Sequence, residues 1–320
     1  MSDVSPAPPE DSVLAPRTLE VLLCGRFEPG EREHWLQALR AACPAVTWWD
    51  SEAPDDARQR IEAAVVANPP PGSLTGLPRL RLIQSLWAGV DRLLRDPSLP
   101  PDVPIARMVD PQMTRAMVET ALWAVLSLQR GFFAYARRQA QAQWRVHAQV
   151  RAAEWPVLVL GQGALGGAVS EALRARGYPV SGWRRSDGPS ALGPRLAGSQ
   201  VVINLLPLTS ETQGLIDARF LAALPRKASL VNLARGAQVV DADLLAALDS
   251  GHLRHAVLDV FHVEPLPPEH PFWRHPRVTV LPHAAALTDA LSAAQVVADN
   301  LQRLRRGEAP LHQVDRLRGY

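Results

Sequence analysis

Three charged or titratable residues, Arg235, Glu264 and His283, each follow an apolar run typical of a buried strand. Arginine binds anions through a planar fork of donors, and an imidazole or a carboxyl group can transfer a proton. Taken singly, such residues more often belong to the surface or the core than to a catalytic site. Because ligands of open parallel sheets bind at the carboxyl ends of the strands, the ordered set predicts one crevice that holds all three.

A glycine-rich turn, G-x-G-x-x-G, joins the apolar run Val157–Leu160 to a helical pattern. Gly161 permits a tight turn, Gly163 lets the backbone approach a pyrophosphate, and Gly166 allows the helix to pack closely on the strand. The amino end of that helix would face the phosphate charge. A turn without a ligand is the alternative, but strand, turn and helix all match the dinucleotide-binding pattern. The residues predicted to contact the dinucleotide here are Gly161, Gly163, Ala164, Leu165 and Gly166.

The next predicted strand ends where dinucleotide sites contact the adenosine ribose. An NAD site carries Asp or Glu there, about 20 residues after the glycines, to accept the 2′-hydroxyl. This chain instead has Arg184, Arg185 and Ser186, whose two guanidiniums and hydroxyl suit a 2′-phosphate. The sequence therefore predicts NADP(H) as the cofactor, with NAD(H) less favoured. Two alternatives stay open: the arginines could form a solvated loop, or a shifted strand end could bring Asp187 to the ribose.

Strand and helix patterns alternate along the whole chain of 320 residues. This alternation predicts an α/β fold, and the length suggests about two domains, each a doubly wound parallel sheet. The first predicted series of strands comprises Thr18–Cys24, Ala45–Trp49, Val65–Val66, Leu80–Leu86 and Ile105–Ala106, with helices at Glu31–Ala42 and Val90–Arg95. The second series comprises Val157–Leu160, Val180–Ser181, Val201–Asn204, Ser229–Leu233, Ala256–Asp259 and Val278–Leu281.

Two longer helical patterns determine the predicted domain boundaries. One begins near Pro111 and exceeds what a local connection needs, which indicates either a helix that crosses between domains or a dimerisation arm. The other runs from Leu287 to about Arg306 and could return to the first unit. The prediction is a disordered Pro-rich leader over residues 1–16, a substrate domain over 17–110 and 285–320, and an inserted dinucleotide-binding domain over 111–284.

Composition argues against several other classes of protein. The 34 basic and 32 acidic side chains give a net charge of +2 and are evenly mixed, which argues against a nucleic-acid surface. Cys24 and Cys43 are too few for a disulfide framework, and no apolar run is long enough to span a membrane, so we expect a cytoplasmic protein. The histidines lack a metal-binding spacing, and no metal is predicted. Lys227, the single lysine, is not part of a G-x-x-x-x-G-K-[ST] phosphate loop.

Four motifs follow the apolar runs in a fixed order: G-x-G-x-L-G, Asn-Leu-Ala-Arg-Gly, Asp-Val-Phe-x-x-Glu-Pro-Leu and Pro-His. In this order they resemble the D-isomer-specific 2-hydroxyacid dehydrogenase family, which has a Rossmann-type cofactor domain. Three further segments resemble its bacterial glyoxylate/hydroxypyruvate reductase A branch, namely Asn204–Thr209, Pro271–Val278 and Gln313–Tyr320. The resemblance covers nearly the whole chain after the leader.

The resemblance implies a role for each residue of the predicted crevice. Arg235 would bind the substrate carboxylate and the 2-keto oxygen, which a guanidinium fork does better than an ammonium. His283 would protonate the alkoxide that develops as the keto carbon receives a hydride, and Glu264 would hold the imidazole and favour its protonated form. Asp259 would orient the nicotinamide amide. The other implied cofactor-lining positions are Leu206, Pro207 and Ala234.

The segment Gln84–Asp91 resembles the family's substrate loop, whose backbone amides, here those of Ala88 and Gly89, would receive the substrate carboxylate. The family often has glycine where this chain has Trp87. The indole could narrow the pocket and shield it from water, or it could simply pack under the loop. The predicted substrate-binding residues are therefore Trp87, Ala88, Gly89 and Arg235.

The predicted function is NADPH-dependent reduction of small 2-keto acids, glyoxylate to glycolate and hydroxypyruvate to glycerate, by an enzyme that forms a homodimer. Two alternatives stay open. Another 2-hydroxyacid dehydrogenase, such as a phosphoglycerate dehydrogenase, would need different substrate-binding groups. A dinucleotide-sensing protein could use the same fold without a reaction, although it need not keep Arg235, Glu264 and His283 together.

Overall fold

The structure, a computed structural model, describes residues 18–320 and contains two parallel sheets. The predicted leader, residues 1–16, lies outside the described residues. The strands of the first sheet are β1 (Leu19–Gly25), β2 (Val46–Trp49), β3 (Ala63–Ala67), β4 (Leu82–Ser85) and β5 (Ile105–Ala106). Those of the second are β6 (Val157–Leu160), β7 (Val180–Trp183), β8 (Val201–Asn204), β9 (Ser229–Asn232), β10 (His255–Leu258) and β11 (Val278–Val280).

Helices connect these strands and cover the sheets, as parallel pairing requires. In chain order they are α1 (Glu31–Ala42), α2 (Asp55–Arg58), α3 (Pro111–Arg130), α4 (Phe132–Ala140), α5 (Ala164–Arg174), α6 (Leu192–Ala197), α7 (Ala218–Ala222), α8 (Asp241–Asp249) and α9 (Ala290–Arg305). Within residues 18–320, no helix is both long enough and apolar enough to cross a membrane.

Both sheets reverse their winding next to their first strand. The first has the order β2-β1-β3-β4-β5 and the second the order β7-β6-β8-β9-β10-β11, with all neighbouring strands parallel. In such sheets a crevice opens at the carboxyl ends of the strands beside the reversal. The glycine-rich turn follows β6, which lies at this point of the second sheet. The expected fold of two doubly wound parallel sheets is confirmed.

The carboxyl-terminal helix packs against the first sheet, although it is distant in sequence. α9 contacts α1, and both share an apolar core with β1 and β3. The tail beyond α9 also returns to this sheet, because Gln313 pairs with Ala106 and Val314 is buried. Residues from both ends of the described chain therefore build the core around the first sheet.

α3 contacts the cores of both sheets. Asp110 caps its amino end by accepting a hydrogen bond from the backbone N–H of Met113 (2.9 Å), and Pro111 occupies the first helical position. Met113 packs in the core of the first sheet, whereas the later turns pack against α5 and the second sheet. The helix predicted to begin near Pro111 is confirmed, and it ends where Gly131 adopts a left-handed conformation (φ 76°).

Two predicted helices have different boundaries in the structure. The helix predicted over Val90–Arg95 is wrong: only the 3₁₀ turn Leu93–Arg95 forms, and the chain becomes extended at Asp96 (ψ 109°). The helix predicted from Leu287 begins at Ala290, because the side chain of Asp289 caps it there. All the predicted strands are present, with ends that differ by at most two residues.

Candidate active site

His283, after β11, pairs with Glu264, which follows β10. The imidazole Nδ1 lies 2.8 Å from Glu264 Oε2, and the side chain of His283 is 49% exposed. Its Nε2 forms no hydrogen bond with any described residue. Because the carboxylate holds one ring nitrogen and the other is free, the imidazole can exchange a proton with a bound ligand.

Glu264 is kept ionised by its surroundings. Burial would raise the pKa of this carboxyl, but hydrogen bonds from His283 and the Phe261 N–H, with the charges of His283 and Arg92, lower it below its usual value. The carboxylate also accepts the Phe261 N–H at 2.9 Å. A carboxylate that stays charged accepts a hydrogen bond from Nδ1 and so fixes the orientation of the His283 ring.

The backbone at His283 adopts a left-handed conformation (φ 54°), which residues other than glycine seldom do. Asp259 holds this turn: its carbonyl accepts the His283 N–H (2.8 Å), and its carboxylate accepts the N–H groups of Ala284 and Ala285. Burial raises the pKa of Asp259, while the two N–H groups act in the opposite direction. The structure thus gives Asp259 a part in positioning His283, whereas its implied contact with the nicotinamide stays a prediction.

Arg235, after β9, reaches the loop that follows β4. Its Nε donates to Asp91 Oδ1 (2.9 Å), and its Nη1 donates to the carbonyl of Ala234 (2.7 Å). Its Nη2 forms no hydrogen bond with any described residue and lies against Gly89, where an added Cβ would come within 1.5 Å of it. The site therefore includes a partly buried guanidinium that presents a free donor to the predicted substrate loop.

The backbone N–H groups of Ala88 and Gly89 also form no hydrogen bond within the described part of the chain. Both residues are half-buried. Together with Nη2 of Arg235, these amides provide donors and positive charge at one place, the combination that binds a carboxylate. The structure thus brings Gly89, which follows Ala88 in the chain, against Arg235, although their loops follow strands of different sheets.

Trp87 packs into the core of the first sheet. Its ring meets that of Trp35 edge-on, with centroids 6.1 Å apart and an interplanar angle of 80°. Its carbonyl accepts the N–H of Met108 (3.1 Å). These contacts agree with the alternative in which the Trp87 indole packs under the loop. A contact between Trp87 and the substrate stays a prediction.

Three fully buried amides, which the sequence analysis did not single out, hold the loops after β8 and β9. Asn204 Nδ2 donates to Asn232 Oδ1 (3.0 Å) and to Gln238 Oε1 (2.7 Å). Gln238 Nε2 donates to the two carbonyls of Leu206–Pro207, and Asn232 Nδ2 donates to the carbonyl of Arg235 (3.0 Å). One network thus fixes both a predicted cofactor-lining segment and the backbone of Arg235. The available signal was an asparagine at the end of an apolar strand.

The glycine-rich turn after β6 leaves the amino end of α5 without a side-chain cap. An added Cβ on Gly166 would lie 1.7 Å from the Gly161 carbonyl oxygen, and one on Gly161 would lie 2.6 Å from a backbone oxygen of the loop after β8. By contrast, an added Cβ on Gly163, the N-cap, would meet nothing within 4 Å. The uncapped N–H groups of the first turn, Ala164–Leu165 included, fit a pyrophosphate.

Arg184 stands at the expected ribose position, because β7 ends at Trp183. Arg184 is exposed and forms no ion pair with any described residue, and Ser186 is also exposed. Arg185 pairs with Glu211 (3.0 Å) across the neighbouring loop. Two arginines and a hydroxyl at a strand end beside the pyrophosphate turn fit a 2′-phosphate.

The side chain of Asp187 forms hydrogen bonds within its own region of the chain. Its Oδ2 accepts a hydrogen bond from Arg195 Nη1 (2.8 Å), and it also accepts the backbone N–H of Arg184 (3.3 Å). The alternative in which a shifted strand end brings Asp187 to the ribose is therefore not observed. The residues present fit NADP(H) better than NAD(H).

Groups that could suggest other chemistry lie elsewhere. Lys227 precedes β9, at the end of the sheet opposite to Arg235, and its Nζ donates to the carbonyl of Gly251 (2.8 Å). Among the described residues, no group of three or more His, Cys, Asp or Glu side chains is arranged to hold a metal ion.

The fold and the site define a dinucleotide-binding protein whose second ligand would lie between loops of the two sheets. The family described as D-isomer specific 2-hydroxyacid dehydrogenase, NAD binding domain, matches residues 122–285. A glyoxylate/hydroxypyruvate reductase A of Klebsiella pneumoniae (strain 342) is 41% identical over 301 residues, which cover 89% of this chain and 96% of the relative. The chain belongs to the D-isomer specific 2-hydroxyacid dehydrogenase family.

Solved structures of the family are also similar. A D-isomer specific 2-hydroxyacid dehydrogenase from Xanthobacter autotrophicus Py2, in complex with NADPH and MES, is 40% identical, with a TM-score of 0.88 and coverage of 94% of this chain and 100% of the other. An NADPH-dependent glyoxylate/hydroxypyruvate reductase from Sinorhizobium meliloti, in complex with NADP and sulfate, is 35% identical, with a TM-score of 0.86 and the same coverage. The predicted family resemblance is confirmed.

Proposed function

We propose that this protein is an NADPH-dependent reductase of small 2-keto acids, which converts glyoxylate to glycolate and hydroxypyruvate to glycerate. The observation that carries the proposal is that the carboxyl ends of three adjacent strands, β9, β10 and β11, are followed by Arg235, Glu264 and His283, with the last two paired at 2.8 Å. Relatives and structural neighbours described as glyoxylate/hydroxypyruvate reductases support the choice of substrate class.

The protein's part in the reaction is to hold the substrate and supply a proton. Bound NADPH would supply the hydride to the keto carbon. Arg235 and the amides of Ala88 and Gly89 bind the substrate carboxylate, and Arg235 also polarises the keto oxygen. His283 gives its proton to that oxygen as negative charge develops on it, while ionised Glu264 holds the imidazole in place through Nδ1.

A His283→Ala variant tests this assignment. Loss of the general acid should lower kcat with glyoxylate by about two orders of magnitude or more. The dissociation constant for NADPH, measured by fluorescence titration, should stay within about twofold of wild type. His275→Ala is the matched control, because His275 lies at the other end of β11 and pairs with Asp249. Equal turnover in wild type and His283→Ala would overturn the role of His283.

We also propose a homodimer that forms through the outer face of α3 and α4. Trp123, Leu126 and Phe132 are exposed there by 41%, 38% and 52%, and they line one shallow cavity. Grouped large apolar side chains of this kind are typical of interfaces, and a twofold axis would pair the same face of each copy. Light scattering should give twice the chain mass for wild type and a lower mass for Trp123→Glu. A monomeric wild type would contradict the homodimer.

The domain limits and the location complete the proposal. Residues 17–110 and 285–320 would form the substrate domain and residues 111–284 the cofactor domain, which the packing of α9 and the tail on the first sheet supports. Two free, buried cysteines support a reducing cytoplasm.

A further inference from the structure

Asp91 and Arg235 form an ion pair between the two sheets. The residues are 144 positions apart in sequence, and Asp91 Oδ1 accepts the hydrogen bond of Arg235 Nε at 2.9 Å. The side chains are only 13% and 29% exposed, respectively, so the pair is largely withdrawn from solvent. A charge pair in such a place is specific in geometry, and removal of one partner leaves the other charge poorly compensated.

The pair leaves part of the guanidinium unused. Asp91 takes Nε, and the carbonyl of Ala234 accepts a hydrogen bond from Nη1 (2.7 Å). These two acceptors belong to different loops, and together they fix both the plane and the rotation of the guanidinium. The donors left over are the second N–H of Nη1 and both N–H groups of Nη2, and Nη2 lies against Gly89. Asp91 therefore decides which edge of Arg235 faces the substrate loop.

The second carboxylate oxygen of Asp91 forms a weaker ion pair with an exposed arginine, Arg95. Arg95 Nη2 lies 3.4 Å from Asp91 Oδ2, and the side chain of Arg95 is 68% exposed. An exposed ion pair at this distance contributes little. The Asp91 carboxylate is thus held chiefly by Arg235, and Arg95 provides a control residue on the same carboxylate.

We propose that Asp91 is a positioning residue for the reduction, which orients Arg235 so that Nη2 faces the carboxylate site at the amides of Ala88 and Gly89. This inference rests on the proposed function, in which Arg235 binds the 2-keto acid. Asp91 acts through Arg235 and touches neither substrate nor cofactor. In the opposite case, Asp91 would compete with the substrate carboxylate for the guanidinium. Removal of the Asp91 charge would then lower the KM for glyoxylate.

Steady-state kinetics of Asp91→Ala and Asp91→Asn distinguish positioning of Arg235 from competition with the substrate. Asp91→Ala should lower kcat/KM for glyoxylate by about 30-fold or more, and Asp91→Asn by about fivefold, since the amide oxygen still accepts from Nε but carries no charge. The KM for NADPH should change less than about twofold in both. Arg95→Ala should behave as wild type. A lower KM for glyoxylate in Asp91→Asn, or an unchanged kcat/KM in Asp91→Ala, overturns the proposal.

A double variant shows whether Asp91 acts through Arg235. If it does, Asp91→Ala should add almost no loss of kcat/KM in an Arg235→Ala background, because the residue that it positions is absent. Losses that multiply in the double variant overturn the proposal. Circular dichroism and the dissociation constant for NADP⁺ check that each variant folds and keeps its cofactor site.

Binding of oxalate separates this inference from the proposed function. Oxalate carries the carboxylate but has no reducible keto group, and calorimetry in the presence of NADP⁺ measures its affinity without turnover. Weaker oxalate binding in both Asp91→Ala and Arg235→Ala supports the positioning role of Asp91. If wild type then reduces no 2-keto acid, the proposed function fails but the positioning role does not. Equal oxalate affinity in wild type and Asp91→Ala overturns the inference. If Arg235→Ala loses turnover and Asp91→Ala does not, again only the inference fails.

Discussion

At the scale of single residues, the chemistry depends on which donors the protein leaves unused. Arg235 keeps Nη2 free of other described groups, and the amides of Ala88 and Gly89 do the same, whereas His283 keeps Nε2 free. Nη2 of Arg235 and Nε2 of His283 each belong to a group whose other nitrogens the protein has already bound, so their directions are fixed before a ligand arrives. Preorganised donors of this kind stabilise developing negative charge without a reorganisation cost.

Gly89→Ala tests the close contact between the substrate loop and the guanidinium. The new Cβ would come within 1.5 Å of Arg235 Nη2, so the arginine must move away from the carboxylate site. We expect kcat/KM for glyoxylate to fall by about 100-fold, with the affinity for NADPH unchanged. Gly193→Ala is the control, because an added Cβ there meets nothing within 4 Å. Near wild-type kinetics of Gly89→Ala would show that Arg235 does not need this contact.

Arg184→Asp tests the choice of cofactor. An aspartate at the end of β7 would repel a 2′-phosphate and accept a ribose hydroxyl, so the ratio of KM values for NADPH and NADH should shift toward NADH by about 100-fold or more. The shift follows from replacing a positive charge with a negative one at a single position. Wild-type enzyme that prefers NADH, or a variant with an unchanged ratio, would contradict the role of Arg184.

At the scale of elements, buried polar side chains form hydrogen bonds that hold the loops after β8 and β9. Asn204 and Asn232 end two apolar strands, and with Gln238 they hold both the Leu206–Pro207 segment and the Arg235 carbonyl. The apolar runs predicted the strands because hydrophobic pattern dominates strand formation. They could not predict this network, since amide pairing across strands depends on the register of the folded sheet.

Gln238→Leu should weaken both the fold and the site. The substitution leaves Asn204 Nδ2 and two loop carbonyls with one partner fewer in a buried place, which should cost about 1–3 kcal/mol in the free energy of unfolding. KM should rise for both NADPH and the keto acid, because one network holds both loops. Urea unfolding and steady-state kinetics measure the two effects, with Gln302→Leu on the exposed side of α9 as control. If stability falls while both KM values stay unchanged, the amide network stabilises the fold but does not position the two loops for binding.

At the scale of the whole molecule, contacts between distant segments set the architecture. α9 and the tail complete the core of the first sheet, and the Asp91–Arg235 pair joins the loops of the two sheets. The family and the two sheets could be predicted from the sequence, because the motifs follow apolar runs in a fixed order, and the roles of the candidate site residues stay predictions. The sequence showed no sign of the Asp91–Arg235 pair, since neither residue type nor spacing specifies a contact over 144 positions.

A buried histidine should make the stability of the whole molecule depend on pH. His255 stacks on Phe133 of α4 (centroids 4.4 Å apart), and its Nε2 lies 2.8 Å from Thr279 Oγ1. Burial, with the charges of Arg137 and His275, lowers its pKa from 6.5 to about 3. The folded state therefore resists protonation that the unfolded chain accepts, and stability falls as pH drops below 6.5.

His255→Gln measures this contribution. Between about pH 7.5 and pH 5, wild type should lose about 2 kcal/mol more in the free energy of unfolding than the variant, from one proton taken up on unfolding. Urea unfolding of both proteins at the two pH values gives the difference. Equal losses would mean that His255 does not carry the dependence.

The measurement that tests the central claim most directly is NADPH consumption, followed by absorbance, with a panel of 2-keto acids. The predicted result is oxidation of NADPH with glyoxylate and hydroxypyruvate at a higher kcat/KM than with phosphohydroxypyruvate, and at least a hundredfold lower kcat in His283→Ala. Faster turnover of phosphohydroxypyruvate would favour a phosphoglycerate dehydrogenase. No consumption with any keto acid would contradict the reductase and favour a dinucleotide sensor.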